Sequence, residues 1–469
     1  MSLSAYPPPD CLAHILRAQS RPARLKRAAR LLLLRAVAFA GRPLLAPTGD
    51  RRLPERLRLL LIRPDHLGDA LLVTPALQRL RALLPDAHLT CLCGPWSREV
   101  FLRSGVLDAV QTCPFPGFDR TAQHRRRGGL PAPYLLLARE ARRLRREGFD
   151  VAINLRFDFW WGALLAFCAG IPLRLGYAVP EVAPFLTHSL PWPPSAGRLP
   201  HAAEANALLV ELCTAVLQHA RAADQGGDPP EVHPAVRSPI LEAGHPPGER
   251  RVPLPPLYFM EAPADVLGLE RTLSAAEVPN GGHGCIVLHP GSGGAVKLWP
   301  VEYWQAVAGS AAALGRPVVV TGSASERDLA MACVAGVPGC TVLAGKLSLG
   351  ELAALFRRAA LVVGTDNGAL HLAVACGAST LQVYGPSDAA LFGPFGPPER
   401  HRVLRADVPC APCGYLDMPV PAGTYKACMR SITPERVIAA MAAMLASSTT
   451  SPCDRTRPFS RSTGERERE

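Results

Sequence analysis

One pattern limits this chain more than any other: a short apolar run that ends in a glycine-bearing polar turn and continues as a helix. Its clearest copy lies at residues 359–377. Ala359, Ala360, Leu361, Val362 and Val363 read as a buried strand. Gly364, Thr365, Asp366, Asn367 and Gly368 form the turn, and residues 370–376 read as an apolar helix closed by Gly377. At such a helix start the backbone N–H groups point at an anion. His371 lies about one turn into that helix. As an ordinary strand-to-helix connection, the same residues are no more than a polar cap.

The pattern recurs. Residues 58–63 read as a buried strand, followed by the turn 64–69 and an amphipathic helix over 70–84. Strands are expected at 89–93 and 151–155, the second after a strongly basic helix at 135–147. Residues 222–256 are rich in Pro, Gly and His without a hydrophobic period, which marks a linker or insertion. Beyond it the alternation restarts, with strands at 285–289, 317–320 and 380–384. Alternation of this kind predicts an α/β chain with two parallel, doubly wound, Rossmann-like sheets. Ligands then bind beyond the strand C-terminal ends, in a cleft between the two domains. The expected organisation is an N-terminal extension (1–56), a first domain (57–221), the linker (222–256), a second domain (257–445) and a disordered tail (446–469).

Charge separates the extension from the rest. The 469 residues carry a net charge of +12. Residues 1–56 hold eleven Arg/Lys and three Asp/Glu, a net +8, which leaves +4 for everything else. The globular part is therefore near neutral, and no nucleic-acid partner is expected. No apolar run is long enough to span a membrane; the nearest, residues 31–41, is broken by Arg35. As a helix, this region gathers Leu25, Ala28, Ala29, Leu32, Leu33, Ala36 and Ala40 on one face. Arg24, Lys26, Arg27, Arg30 and Arg35 fall largely on the other. That suits an anionic membrane surface, or equally a solvated arm or a helix packed on its own domain. The 14 cysteines are scattered rather than arranged as a secreted disulfide framework, which points to a reducing compartment.

Several turns carry candidate chemistry. Ser292 and Gly293, with Lys297 close behind, form a phosphate-cradling turn that lacks the Walker pattern. Gly322 and Glu326 follow the next strand; Glu326 is a ribose acceptor or a helix-start carboxylate. Asp69 is a general base facing the cleft, or a cap. Cys410, Cys413 and Cys428 show zinc-like spacing without an evident fourth ligand, and free thiols are the favoured reading.

Five stretches in order resemble glycosyltransferase family 9, the lipopolysaccharide heptosyltransferases: residues 61–77, 289–300, 322–326, 364–371 and 384–387. The resemblance covers about 57–446. It implies a GT-B fold and inverting, metal-independent sugar transfer from a nucleotide donor, commonly ADP-heptose. It implies Asp69 as catalytic base. Donor binding falls to Ser292, Gly293, Lys297, Gly322, Glu326, Asp366, Asn367, Gly368 and His371. Asn367 departs from the Thr or Ser common in the family. Arg63, Arg142 and Arg143 are expected to meet an anionic glycolipid acceptor of lipid A–Kdo type; for the helix that bears Arg142 and Arg143, a solvated face is the alternative. No metal or cofactor is expected. The expected protein is a cytoplasmic monomer, peripheral at the inner membrane face. A GT-B sugar-nucleotide epimerase and a non-catalytic nucleotide-sugar binder are the competing functions.

Overall fold

A computed structural model describes residues 21–45, 52–119, 132–192, 199–224 and 254–447, other than Asp417, Pro419 and Ala422. Most of the linker and most of the tail lie outside these residues, as does the start of the extension. The chain forms two lobes, each built on a six-stranded parallel sheet.

The first lobe is preceded by α1 (Arg21–Leu45). Its strands are β1 (Arg58–Arg63), β2 (His88–Cys93), β3 (Ala109–Thr112), β4 (Val151–Asn154), β5 (Leu173–Tyr177) and β6 (His188–Leu190). The sheet order is β3-β2-β1-β4-β5-β6. The principal helices are α2 (Leu67–Leu71), α3 (Thr74–Leu83), α4 (Ala132–Glu147), α5 (Trp160–Cys168) and α6 (Ala202–Asp224). The second lobe has β7 (Ile286–His289), β8 (Val318–Val320), β9 (Cys340–Val342), β10 (Leu361–Thr365), β11 (Thr380–Tyr384) and β12 (His401–Arg405). Its order, β12-β11-β10-β7-β8-β9, repeats the first. Its principal helices are α7 (Pro263–Ala275), α8 (Val301–Ala313), α9 (Leu349–Arg358), α10 (Gly368–Ala375) and α11 (Pro434–Ser447).

The central strands are apolar throughout because both sheet faces are covered. On β1, Leu60 and Ile62 face a core shared with α1, α4 and α5. Leu59 and Leu61 face the opposite core, with α3 and α6. Each such side chain contributes about 1.5–3 kcal/mol by leaving water. The opposite core does not stop at the lobe boundary. Leu257 and Phe259 join it to Leu269, Leu355 and Leu370 of the second lobe. The segment bearing them is tied back by the Tyr258 amide donating to Thr74 Oγ1 (3.0 Å) and by the Arg103–Asp265 ion pair (2.5 Å).

Three boundaries differ most from the sequence reading. The helix expected over 70–84 is two helices, α2 and α3. Pro75 lacks the N–H that a continuous helix would donate to Leu71, and the Thr74 hydroxyl takes that carbonyl instead, at 2.7 Å. Helix α6 runs to Asp224, into the expected linker, and α11 runs to Ser447, into the expected tail. Among the described residues, no helix is long and apolar enough to cross a membrane.

Candidate active site

In both sheets the strand order reverses beside the first strand, between β1 and β4 and between β7 and β10. A crevice opens at such a point, beyond the strand C-terminal ends. The two crevices face one another, because α2, which follows β1, crosses α10, which follows β10. The crossing is backbone against backbone at two glycines. A Cβ on Gly368 would stand 2.9 Å from the Gly68 amide nitrogen. A Cβ on Gly68 would stand 3.0 Å from the His371 ring and 3.2 Å from the Gly368 Cα. A Cβ on Gly368 would come closer than real Cβ atoms do, and one on Gly68 would force its neighbours to give, so glycine serves here for approach rather than for backbone angle.

On the first side, Asp65 is fully buried between two guanidiniums. Arg63 Nε lies 2.7 Å from one carboxylate oxygen, and Arg156 pairs with the other. Arg156 also holds Asp158 at 2.6 Å and lies over the Phe118 ring. Trp96 Nε1 donates to the carbonyls of Pro64 and Asp65, fixing the turn. Arg63 donates further to the Leu155 carbonyl at 2.6 Å and to Asn206. Its only other carboxylate is Asp69, at 3.9 Å.

Asp69 is not the helix cap. The N-cap of α2 is His66, without a side-chain cap bond. Asp69 sits in the first turn with its side chain 41% exposed, open to cleft water yet ringed by protein. Burial raises its pKa to about 6, and the Asp65 charge adds to the rise against the pull of Arg63 and Arg156. Asp366, across the lobe boundary, raises it as well.

On the second side, Lys297 Nζ is 3.1 Å from Asp366 Oδ2. Ser292 Oγ donates to the Asp366 carbonyl at 3.4 Å, so the 291–297 turn and the 364–368 turn are held together. Asn367 binds both: its Nδ2 donates to the Gly291 carbonyl (2.8 Å) and its Oδ1 accepts from the Leu370 amide (3.1 Å). His371 is buried, its Nδ1 has no hydrogen-bond partner among the described residues, and burial lowers its pKa to about 4, so it is neutral at pH 7. Glu326 accepts from the amide and hydroxyl of Ser323, both at 2.7 Å. Its carboxylate lies so close to Gly291 that a Cβ there would overlap it. Gly322 packs on the Glu326 Cβ, and Gly293 is exposed at the tip of its turn.

Some expected roles change. Arg63, expected to meet an acceptor, is 6% exposed and committed to protein groups, so its place is structural. Arg143 is likewise drawn into α4's own ion pairs, with Glu140 and Glu147 at 2.8 Å each, whereas Arg142 stays exposed. The Asn367 amide is spent on shaping the two turns. Sequence reading missed Arg156 and Trp96. Arg156 lies just past β4, where the strand-end rule already pointed. Cys410, Cys413 and Cys428 are free thiols, and among the described residues no three metal-ligating side chains converge in a metal site.

Residues 258–418 match the model of glycosyltransferase family 9 (heptosyltransferase). The chain is 35% identical over 147 residues to lipopolysaccharide heptosyltransferase 1 of Pseudomonas aeruginosa, a match spanning 31% of this chain and 40% of that relative. It is 23% identical over 409 residues to lipopolysaccharide heptosyltransferase 2 of Salmonella typhimurium, spanning 83% of this chain and 99% of the relative. Among solved structures, the Escherichia coli ADP-heptose lipopolysaccharide heptosyltransferase II superposes with a TM-score of 0.58 at 19% identity, over 84% of this chain and all of that one. That likeness concerns the fold, which is GT-B: two six-stranded parallel sheets facing a cleft. The family model matches across the second-lobe turns and a relative matches across both lobes, so the chain is similar to glycosyltransferase family 9.

Proposed function

We propose that this chain transfers a sugar, heptose from ADP-heptose, to a hydroxyl of a lipopolysaccharide-core or related glycolipid acceptor in the cytoplasm, with inversion and without a metal. One juxtaposition carries the reading. Asp69, a carboxyl with its pKa raised to about 6, stands across the Gly68–Gly368 crossing from Lys297, Asp366 and His371. The names of the matched relatives support heptose, and one names ADP-heptose.

In this reading the donor lies on the second lobe. Lys297 turns from Asp366 to the diphosphate, and the N–H groups at the start of α10 share the leaving charge. Glu326 accepts from the ribose hydroxyls. The acceptor hydroxyl approaches from the first lobe, and Asp69 removes its proton as the oxygen attacks the anomeric carbon opposite the departing ADP. Asp65 cannot take over, because it is buried and both its oxygens are taken by guanidiniums. Lys297 supplies the positive charge that a divalent ion provides elsewhere. Arg142 keeps an open charge for an anionic acceptor.

The test is ADP release from ADP-heptose with and without a lipid A–Kdo-type acceptor. Release only when acceptor is present supports transfer. Conversion of the donor without acceptor supports an epimerase, and neither event supports a binder.

A pH dependence follows from the same carboxyl. A base works ionised, so kcat/KM is expected to be full above pH about 6 and to fall tenfold per unit below it. A profile flat down to pH 4.5, roughly the ordinary carboxylate range, contradicts a base in this environment.

A further inference from the structure

Helix α1 precedes the two-lobed body and lies outside the five motifs. Its 25 residues span about 37 Å. They include seven Arg or Lys and no Asp or Glu. One side of the helix is docked. Leu34 and Ala38 are buried in the core shared with α5, and Arg27 Nε pairs with Glu181 at 2.7 Å. Glu181 lies just past the C-terminal end of β5, so this contact ties α1 to the cleft-side edge of the first sheet.

Among the described residues, the opposite side has no partner. Leu25, Leu32 and Phe39, spaced seven apart, are 71%, 68% and 80% exposed. At 100° per residue they fall within one stripe, about 180° from Leu34, with Ala28, Ala29, Ala36 and Ala40 beside them. All four alanines are exposed. Exposed Arg35 lies beside the stripe, whereas Arg30 falls near the docked side, where its charge acts on Glu181. A soluble face would put charge where this stripe puts Leu and Phe. A basic helix with a core-facing side and an apolar outer stripe fits a flat interface whose apolar interior lies beneath negative groups.

We propose that α1 seats the protein on an anionic phospholipid bilayer, with Leu25, Leu32 and Phe39 entering the acyl region and Arg35 reaching the headgroup phosphates. The charge complementarity selects this occupant over a second copy, whose α1 would bring the same positive charge. The contact with Glu181 then sets the cleft edge at the bilayer, where a lipid-linked acceptor would be presented. The docking itself does not depend on the transfer reading.

The experiment is flotation of the full chain with phosphatidylcholine vesicles, with and without phosphatidylglycerol. The protein is expected to float with the anionic vesicles and to release as salt rises. Arg35→Gln should lower partitioning roughly fivefold, from about 1 kcal/mol per basic residue near the surface. Leu32→Glu with Phe39→Glu should lower it by at least about tenfold. Both variants should keep the wild-type melting temperature, since neither touches the docked side. Failure of the wild type to float, or variants that float like it, would overturn the proposal. So would a wild-type dimer that Leu32→Glu with Phe39→Glu dissolves, without flotation of either form; the occupant is then a second copy.

Discussion

Asp69→Asn is expected to lower kcat by about 10²–10⁴-fold, the range for losing a general base, with the fold and donor affinity retained. The amide is nearly isosteric with the carboxyl but cannot take a proton. Stability should not fall. The Asp69 side chain makes no cap bond, and its nearest cation, Arg63, is 3.9 Å away and already paired with Asp65. The linkage points the same way. A carboxyl whose folded pKa is raised to about 6 is disfavoured as an anion in the fold, so it lowers stability above that pH. Replacing it with a neutral amide removes that cost at pH 8. Donor binding should persist because Lys297, Asp366 and His371 belong to the other lobe. A variant with kcat within a few-fold of wild type would remove Asp69 from the chemistry.

Gly68→Val is expected to lower kcat by about 10²-fold, because a misplacement of about 1 Å between reacting groups costs that much. The added side chain meets the His371 ring and the Gly368 Cα, and the second of these is backbone that cannot swing aside. The lobes must move apart, or α2 must shift and carry Asp69 with it. Overpacking of this kind also costs about 1–3 kcal/mol of stability, which is read as a lower melting temperature. Donor affinity should fall as well, because the α10 start and His371 are pressed, but less than kcat, since the phosphate-side turn at 291–297 is untouched. Gly68→Ala should give an intermediate loss. Normal turnover in the valine variant would mean that the crossing seen here is not the arrangement in which transfer occurs.

Much of this architecture is legible from residue order alone. Parallel strands covered on both faces must be apolar throughout, so β1, β7 and β10 stand out as runs such as Leu59-Leu60-Leu61-Ile62. The turns that follow them are short and carry glycine, which places Asp69, Lys297 and Asp366 at strand ends before any coordinates are known. Partnership is less legible. The partners of Arg143 are legible, since Glu140 and Glu147 stand at i,i+3 and i,i+4 on one helix, but nothing local says that Asn206 claims Arg63. Arg156 is 91 residues from Asp65, and the contact exists only because β4 pairs with β1. The Gly68–Gly368 crossing joins two lobes three hundred residues apart in sequence. Sequence marks both glycines, but as turn formers, and their closer requirement is the passage of one backbone against another. The break between α2 and α3 was locally encoded in Pro75, yet the hydrophobic period runs through it and hides it.

The most direct test of the central claim compares the pH dependence of kcat/KM for wild type and Asp69→Asn, with ADP-heptose and a lipid A–Kdo-type acceptor. Wild type should show an acid limb near pH 6, and the residual activity of the variant should lack that limb. A limb near pH 6 that persists in the Asn variant, with turnover close to wild type, would contradict Asp69 as the base.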